Sequence, residues 1–150
     1  MLTSSERKDW ILRTIQEIAR MMAALVGRKA AGDLDGALAE TRAAVGVLLG
    51  PLSDLAPRLD SVTAGHMVSE PDVIAAWARV VAEEAEVHRL LGNHEQARAG
   101  ERRALELALE AHLRTRDDRP ELLGLISRLR ASVAETDLDP RHQAALADLS

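Results

Sequence analysis

The feature that most constrains this chain is a seven-residue pattern that occurs twice, 60 positions apart, with its glycine at Gly32 and again at Gly92. Residues 31–37 read Ala-Gly-Asp-Leu-Asp-Gly-Ala, and residues 91–97 read Leu-Gly-Asn-His-Glu-Gln-Ala. A glycine followed by Asp or Asn is typical of one helix ending and the next beginning. Because apolar residues recur every three or four positions on both sides of each turn, the pattern predicts two helical hairpins.

The first hairpin is predicted over about residues 5–50. Thr3 and Glu6 have the spacing of a capping box, which favours a helix start at that point. The helix is expected to run to about Ala31, and its partner, capped by Asp33, is expected to stop at Gly50 and Pro51. The apolar seams that indicate these two helices are Ile11, Ile15, Ile18, Met22 and Leu25 in the first, and Leu34, Ala37, Thr41, Ala44 and Leu48 in the second.

The second hairpin is predicted over residues 71–115, after an irregular middle segment at 51–70 in which Ser61 is expected to cap a short helix. Ser69 and Pro71 indicate the start of its first helix, and Asn93 is expected to cap the second. The inward residues are expected to be Ile74, Trp77, Val81, Ala85, Val87 and Leu91, followed by Ala97, Gly100, Ala104, Leu107 or Ala108, and Ala111. Further helices are predicted over 118–150, so the sequence as a whole predicts a single all-α domain over residues 1–150.

Composition narrows the choice of function and location. The chain has 47% hydrophobic residues, no cysteine and a net charge of -5. A mildly acidic protein is a poor general binder of nucleic acid or of an anionic membrane, so neither partner is expected. The N-terminal charges are mixed in sign and no apolar run approaches about 20 residues, which predicts neither an export signal nor a membrane span. We therefore expect a cytoplasmic protein.

Each hairpin resembles the tetratricopeptide repeat, a helix pair with a glycine near the turn and small residues where the helices touch. The matching residues are Ala85, Gly92, Ala97 and Ala104 in the second copy and Gly32, Ala37 and Ala44 in the first. The chain departs from the family's pattern at Leu25, which occupies a small position, at Glu84, and at His88 and Arg28, where the family has an aromatic residue. Residues 10–113 also resemble an uncharacterised bacterial family of small tetratricopeptide-like proteins, so a helical bundle or short solenoid is implied.

The resemblance implies that the first helix of each pair lines a concave face. On the second hairpin this face would carry Arg79, Ala82, Glu83, Glu86 and Arg89, a polar strip suited to an extended or helical peptide, unless it is simply a solvated helix face. On the first hairpin it would carry Ala19, Met22, Ala23 and Val26. An apolar strip needs a cover, which could be the middle segment, the C-terminal helices or a second subunit in a homodimer.

Few residues suggest chemistry of their own. The five histidines lack metal-ligand spacing, and His66, His112 and His142 are expected at the surface. No nucleophile is accompanied by an oriented base. On the fourth helix, Arg98, Arg102 and Arg103 alternate with glutamates at spacings that allow pairs within the helix. Trp10 and Trp77, the only aromatic residues, both lie on apolar stripes and are expected in the core.

The sequence therefore predicts a non-catalytic module for protein–protein interaction, without metal or cofactor, whose binding residues are Arg79, Glu83, Glu86 and Arg89. The alternative is a small-molecule-binding or sensor domain with a pocket between the hairpins near Trp77, and an enzyme is a third class. An enclosed apolar cavity with converging polar groups would favour the alternative. An open groove with charged residues directed into it would favour the interaction module.

Overall fold

The computed structural model of the chain describes residues 2–115 and 118–149. Over these ranges it contains seven α-helices and three short 3₁₀ helices, with no strand, so the predicted all-α class is confirmed. The α-helices are α1 (Ser4–Ala30), α2 (Leu34–Leu49), α3 (Ser61–Val68), α4 (Pro71–Leu90), α5 (His94–Leu113), α6 (Pro120–Arg130) and α7 (Pro140–Asp148). The 3₁₀ helices are Gly50–Leu52, Ala56–Arg58 and Glu135–Asp137. The predicted domain limits at residues 1 and 150 lie outside the described residues.

The two glycine turns form as their sequences predict. Gly32 and Gly92 have φ angles of +79° and +83°. Glycine adopts this left-handed conformation without strain because it has no Cβ. Asp33 caps α2 by accepting a hydrogen bond of 2.9 Å from the backbone N–H of Gly36. Asn93 occupies the predicted N-cap position of α5, but its side chain makes no capping bond and its Nδ2 lies 3.3 Å from Nδ1 of His88 instead.

Other helix starts are partly as expected. Thr3 and Glu6 form the predicted capping box, with hydrogen bonds of 2.9 and 3.1 Å. Asp60, and not Ser61, caps α3, because its carboxylate reaches the N–H of Thr63 at 3.0 Å. The residue before α4 is Glu70, while Ser69 ends α3 with a φ of +64°. The predicted capping residues, Ser61 and Ser69, are therefore each one residue away from the observed caps, whereas the predicted start of α4 at Pro71 is confirmed.

Ion pairs at both ends show how α1 and α4 are arranged. Arg7 pairs with Glu70 at 2.6 Å near their N-termini, and Lys29 lies 3.3 Å from Glu83 farther along, so the two helices run in the same direction. Arg119 bonds to Asp72 and places the start of α6 beside the start of α4. α2 packs against α1 and α4, and α5 packs against α4, α6 and α7. Helices α1, α4 and α6 therefore line one side of the bundle.

The core lies mainly between α4, α5 and their neighbours, and Trp77 is in it with an exposed fraction of 2%. Its largest members are Leu25, Leu48, Ile74, Trp77, Leu105, Leu107, Leu109 and Leu146. The absence of Phe and Tyr leaves aliphatic side chains and alanine to fill this space. Alanine at the contacts lets helices approach closely, as the seam Ala97, Ala104, Ala108 and Ala111 does on α5.

Trp10 is not in the core, contrary to the sequence prediction, since 41% of it is exposed. The reason is a difference in length: α1 has 27 residues and α2 only 16. Gly50, with a φ of +54°, and Pro51 turn the chain away, so the first three turns of α1 have no antiparallel helix beside them. We call this segment, residues 4–14, the overhang. Leu91 was also expected inside, but it ends α4 in the turn and is 36% exposed.

None of the helices in the described ranges is both long and apolar enough to cross a membrane.

Candidate functional site

An open groove of about 1390 Å³ runs between α1 and α6 over α4. We call it the α1/α4/α6 groove. Half-buried Ala75 and Ala76 of α4 lie at its floor. Its other apolar lining residues are Ile11, Leu12, Ile15, Ile18, Ala19 and Met22 of α1 and Leu122 and Leu125 of α6. Small residues at the floor with larger ones on the sides leave room for the backbone of another chain.

The charged residues of the α1/α4/α6 groove fall into paired and unpaired groups. Glu70 and Asp72, near the start of α4, are paired with Arg7 and Arg119. Two arginines, Arg79 on α4 and Arg128 on α6, line the groove, are exposed, and form no ion pair with any residue in the described ranges. Asp118 and Glu121, at the start of α6, likewise lack a basic partner within those ranges. The groove therefore offers free charges of both signs.

The four predicted binding residues do not form one strip. Arg79 and Glu83 line the groove, whereas Glu86 and Arg89 do not. Nζ of Lys29 bridges Glu83, at 3.3 Å, and Glu86, at 3.0 Å, and so joins α1 to α4. Arg89 bonds to Glu101 across the second hairpin. Of the four, only Arg79 is both directed into the groove and without a charged partner among the described residues.

The apolar strip expected on the first hairpin is also divided. Ala19 and Met22 line the α1/α4/α6 groove, and Met22 is almost fully buried. Ala23 and Val26 lie outside it, and Val26 is 51% exposed. The middle segment does not cover this strip, because its helix α3 packs mainly against α5.

The middle segment is attached to α5 by Arg103. Its Nη1 donates to the carbonyl of Leu59 at 2.7 Å and to Oγ of Ser61 at 2.9 Å, and Nη2 donates to the carbonyl of Ala56 at 3.2 Å. The guanidinium also lies 5.1 Å from the ring centre of Trp77, in cation–π range. Burial lowers the pKa of Arg103, yet its bonds are those of a charged guanidinium. Although the spacing on α5 allows pairs within the helix, Arg103 forms no ion pair there among the described residues and bonds to the middle segment instead.

A second polar cluster, which the sequence did not predict, surrounds Glu110 on α5. This carboxylate is fully buried. It accepts hydrogen bonds from Arg114 at 2.5 Å, from Nε of Arg141 at 2.9 Å and from Nε2 of His142 at 2.6 Å. Because Arg141 and His142 belong to α7, the cluster joins the C-terminal helix to α5. His142 is 1% exposed, so its predicted surface position is wrong.

Electrostatics explain why Glu110 stays charged in this position. Burial alone would raise the pKa of Glu110, but the hydrogen bonds from His142, Arg141 and Arg114 outweigh it and lower the pKa to about 2. The sequence contains a signal that could have revealed this burial. Leu105 and Leu109 share one face of α5 and Leu107 lies on the opposite face, and a helix with apolar residues on opposite faces is largely enclosed. A carboxylate in that stretch can therefore be buried, as Glu110 is, and it then needs partners.

Within the described ranges, no three His, Asp or Glu side chains come together in a way that could hold a metal ion. Comparison of the chain with protein-family models, with curated proteins and with solved structures found no match.

Proposed function

We propose that this chain is a non-catalytic protein interaction module of tetratricopeptide-like character, and that its α1/α4/α6 groove binds an amphipathic helix of a partner protein. The observation that carries the proposal is the groove itself, which is apolar at its floor and along α1 and charged at its edges. Helices that insert into grooves bury one apolar face and place polar residues at the rims. The cytoplasmic location expected from the sequence stays a prediction.

The dimensions of the groove suit a short helix. Its α4 residues extend from Asp72 to Glu83, which at 1.5 Å per helical residue corresponds to roughly 16 Å, or about three turns of helix. Ala75 and Ala76 at the floor allow a partner backbone to approach closely, while Leu12 and Leu125 supply larger apolar contacts on the two sides. These features support a helical occupant in preference to a single side chain or a small compact ligand.

Charge indicates what the occupant carries on its polar edges. Arg79 and Arg128 would gain charge-assisted hydrogen bonds from carboxylates of a bound helix. Asp118 and Glu121 would favour a basic residue at the other end. Since Glu83 is already bonded to Lys29, it contributes less than the sequence prediction supposed. The proposed partner is thus an amphipathic helix with an acidic group facing the two arginines.

The openness of the groove argues against the alternative of a small-molecule sensor. Sites for drug-sized ligands enclose most of the ligand surface, roughly 70–90%. The α1/α4/α6 groove is open along its length, so a compact ligand would remain largely in contact with water. A protein helix tolerates this exposure because its outer face is itself polar.

The test compares two charge-reversed variants of equal net charge as baits for proteins from the host. Arg79→Glu with Arg128→Glu alters the groove, whereas Arg98→Glu with Arg102→Glu alters exposed arginines of α5 outside it. A captured protein is then divided into synthetic peptides of about 20 residues, long enough for five helical turns. Affinity and helix content on binding are measured for each peptide.

We expect one peptide to become helical on binding and to lose affinity about tenfold or more with the groove variant, since two charge-assisted contacts are reversed. The α5 variant should bind it as the wild type does. Equal binding by both variants, or a peptide that binds without forming a helix, would show that the groove is not a helix-binding site. Reversal of Glu83 and Glu86 is a weaker test, because it would also break the Lys29 bridge between α1 and α4.

A further inference from the structure

Helices α4 and α6 begin with the same nine-residue pattern. Residues 71–79 read Pro-Asp-Val-Ile-Ala-Ala-Trp-Ala-Arg, and residues 120–128 read Pro-Glu-Leu-Leu-Gly-Leu-Ile-Ser-Arg. In both helices proline is the first residue, an acidic residue follows it, and arginine ends the pattern. An acidic residue near the start of a helix and a basic one farther along is the order that the helix dipole favours.

The same face of this pattern lines the α1/α4/α6 groove on both helices. The lining residues include Asp72, Ala75, Ala76 and Arg79 on α4, and Glu121, Gly124, Leu125 and Arg128 on α6. Residues with these spacings form one stripe along a helix. The ion pair between Arg119 and Asp72 places the starts of the two helices side by side. Because both stripes line one groove, they run from an acidic end to a basic end in the same direction.

The end of the groove at which α4 and α6 begin is acidic overall. Its charged lining residues, four acidic and two basic, are Lys8, Glu70, Asp72, Asp118, Arg119 and Glu121. Glu70 and Asp72 are each neutralised by an arginine. Asp118, Glu121 and Lys8 of the overhang form no ion pair with any residue in the described ranges. The unpaired charges at this end are therefore negative on balance.

The other end of the groove is basic. Arg79 and Arg128 are unpaired there among the residues that the structure describes, whereas Glu83 is bonded to Lys29. On each stripe the arginine lies seven residues after the acidic residue, a distance of about 10 Å, or two turns of helix. The groove therefore presents opposite charges about two helical turns apart.

We propose that a partner helix binds in the α1/α4/α6 groove antiparallel to α4, with acidic residues that precede basic residues by about seven positions. This inference rests on the function proposed above and specifies the charge order and direction of the occupant. A stripe that is acidic first and basic second complements itself when a second helix runs in the opposite direction. Acidic residues of the occupant then meet Arg79 and Arg128, and its basic residues meet Asp118 and Glu121.

The direction follows from the stability of the occupant itself. A helix parallel to α4 could match the groove only with basic residues toward its own N-terminus and acidic residues toward its C-terminus. That order opposes the helix dipole and costs about 0.3–1 kcal/mol for each charge in a terminal turn. The antiparallel direction gives the favourable order, and the bound helix is more stable as a result.

The α1 side of the groove determines which edge of the occupant is charged. Within the described ranges Lys8 is the one charged residue of α1 in the lining, and the others are Ile11, Leu12, Ile15, Ile18, Ala19 and Met22. A basic side chain of the occupant is repelled by Lys8 and attracted by Glu121 on the opposite wall. The charged edge of the occupant therefore lies along α6, and its apolar face lies along α1.

The test uses two synthetic peptides of identical composition and about 18 residues, or five helical turns. Both carry leucine and alanine on one face. The acid-first peptide has two glutamates followed by two arginines about two turns later, and the base-first peptide has these glutamates and arginines exchanged. Acetylated and amidated ends remove the terminal charges. Calorimetry gives the dissociation constant of each peptide.

Two variants of unchanged net charge are compared with the wild type. Glu121→Arg with Arg128→Glu, the α6 exchange, reverses one stripe of the groove. Glu95→Arg with Arg102→Glu, the α5 exchange, is the matched control. These two exposed residues have the same spacing, and the acidic one is in the first turn of its helix, but they do not line the groove. Circular dichroism verifies that both variants are folded.

We expect the wild type to bind the acid-first peptide more tightly. The α6 exchange should lower the ratio of the two dissociation constants, base-first to acid-first, by about tenfold or more, because two contacts change sign for each peptide. Comparing this ratio between proteins cancels the difference in helix content between the free peptides. The α5 exchange should leave the ratio within about twofold of the wild type. A nitroxide at the N-terminus of the acid-first peptide should broaden amide signals of residues 79–83 and 127–129 most strongly.

The possible failures are distinguishable. An unchanged ratio in the α6 exchange, or broadening that is strongest at residues 118–121, would overturn the direction while helix binding by the groove stands. Absence of binding by either peptide up to about 1 mM would overturn the proposed function as well. Self-association of the wild type that the α6 exchange abolishes, without binding of peptide, would assign the groove to a second copy of this chain and overturn both.

Discussion

Replacing Gly100 by alanine tests a close contact between α4 and α5. Gly100 of α5 faces Ala85 of α4, and a Cβ added at Gly100 would lie 2.8 Å from Cβ of Ala85 and 3.4 Å from its Cα. Non-bonded carbon atoms are most favourable at about 3.5–4.0 Å. Because neither obstructing atom is the end of a flexible side chain, the relief must come from separation of the two helices. We therefore expect Gly100→Ala to destabilise the protein.

The magnitude follows from two opposing effects. Overpacking of a well-packed contact costs about 1–3 kcal/mol. Removing a glycine from a helix interior recovers up to about 1 kcal/mol, because alanine loses less backbone entropy on folding. With the full glycine gain subtracted, the expected net loss is up to about 2 kcal/mol of unfolding free energy. For a chain of this length that corresponds to a fall in Tm of up to about 8 °C.

A second glycine provides the matched control. Gly46 lies within α2, is exposed, and has no atom within 4 Å of an added Cβ. Gly46→Ala should therefore show the entropic gain alone and raise the unfolding free energy by about 0.5–1 kcal/mol. Both variants are unfolded in urea and followed by circular dichroism. Equal stability of the two variants would refute the reasoning, since it would mean that α4 and α5 are not in contact at Gly100.

Three further predictions concern buried residues. Ala97→Leu should cost about 1–3 kcal/mol in thermal unfolding, because Ala97 is fully buried at the hairpin contact; an unchanged Tm would mean that it faces solvent. Glu110→Gln should cost about 3 kcal/mol in urea unfolding, because Arg141 and Arg114 lose a buried charged partner. The pKa of Glu110 is lowered from 4.5 to about 2, so its contribution is present above the higher value and is lost as the pH falls through the lower one. Stability of the wild type should therefore decline over that interval more steeply than stability of Glu110→Gln, and parallel pH profiles would contradict the assignment. Arg103→Met should increase amide hydrogen exchange at residues 56–61, because the three hydrogen bonds from Arg103 to this segment are lost. Unchanged exchange at these residues would contradict the role of Arg103 in attaching the segment to α5.

Several signals confined to a few neighbouring residues predicted the structure correctly, although the caps predicted at Ser61 and Ser69 lie one residue away from the observed ones. Local backbone preferences determine these features, and such preferences can be predicted from a few adjacent residue types. The features are the two glycine turns, the capping box at Thr3 and Glu6, and the end of α2 at Gly50 and Pro51. The inward seam of α5 was also correct, because helical periodicity fixes which residues share a face. These local features were sufficient to predict the all-α class.

Features that depend on which helix lies beside which were not accessible in the same way. Periodicity places Trp10 on an apolar stripe, but only the end of α2 decides whether anything covers it. His142 was misplaced because its partner Glu110 is 32 positions away and on another helix. The α1/α4/α6 groove was anticipated at Arg79 and Glu83, whose spacing keeps them on one face of α4. The sequence did not predict that Arg128 and Leu125 line this groove, because no pattern within α6 indicates that this helix lies beside α1 and α4.

The way in which Arg103 holds the middle segment has a consequence for how this protein can change over evolutionary time. Two of its three hydrogen bonds there go to backbone carbonyls, those of Ala56 and Leu59, which any amino acid at those positions would supply. Exposed positions of the segment, such as Leu55 and Arg58, can accept substitutions without loss of these bonds. Selection can therefore alter the exposed positions of this insertion while Arg103, together with the bond from Ser61 to Glu106, preserves its attachment to α5.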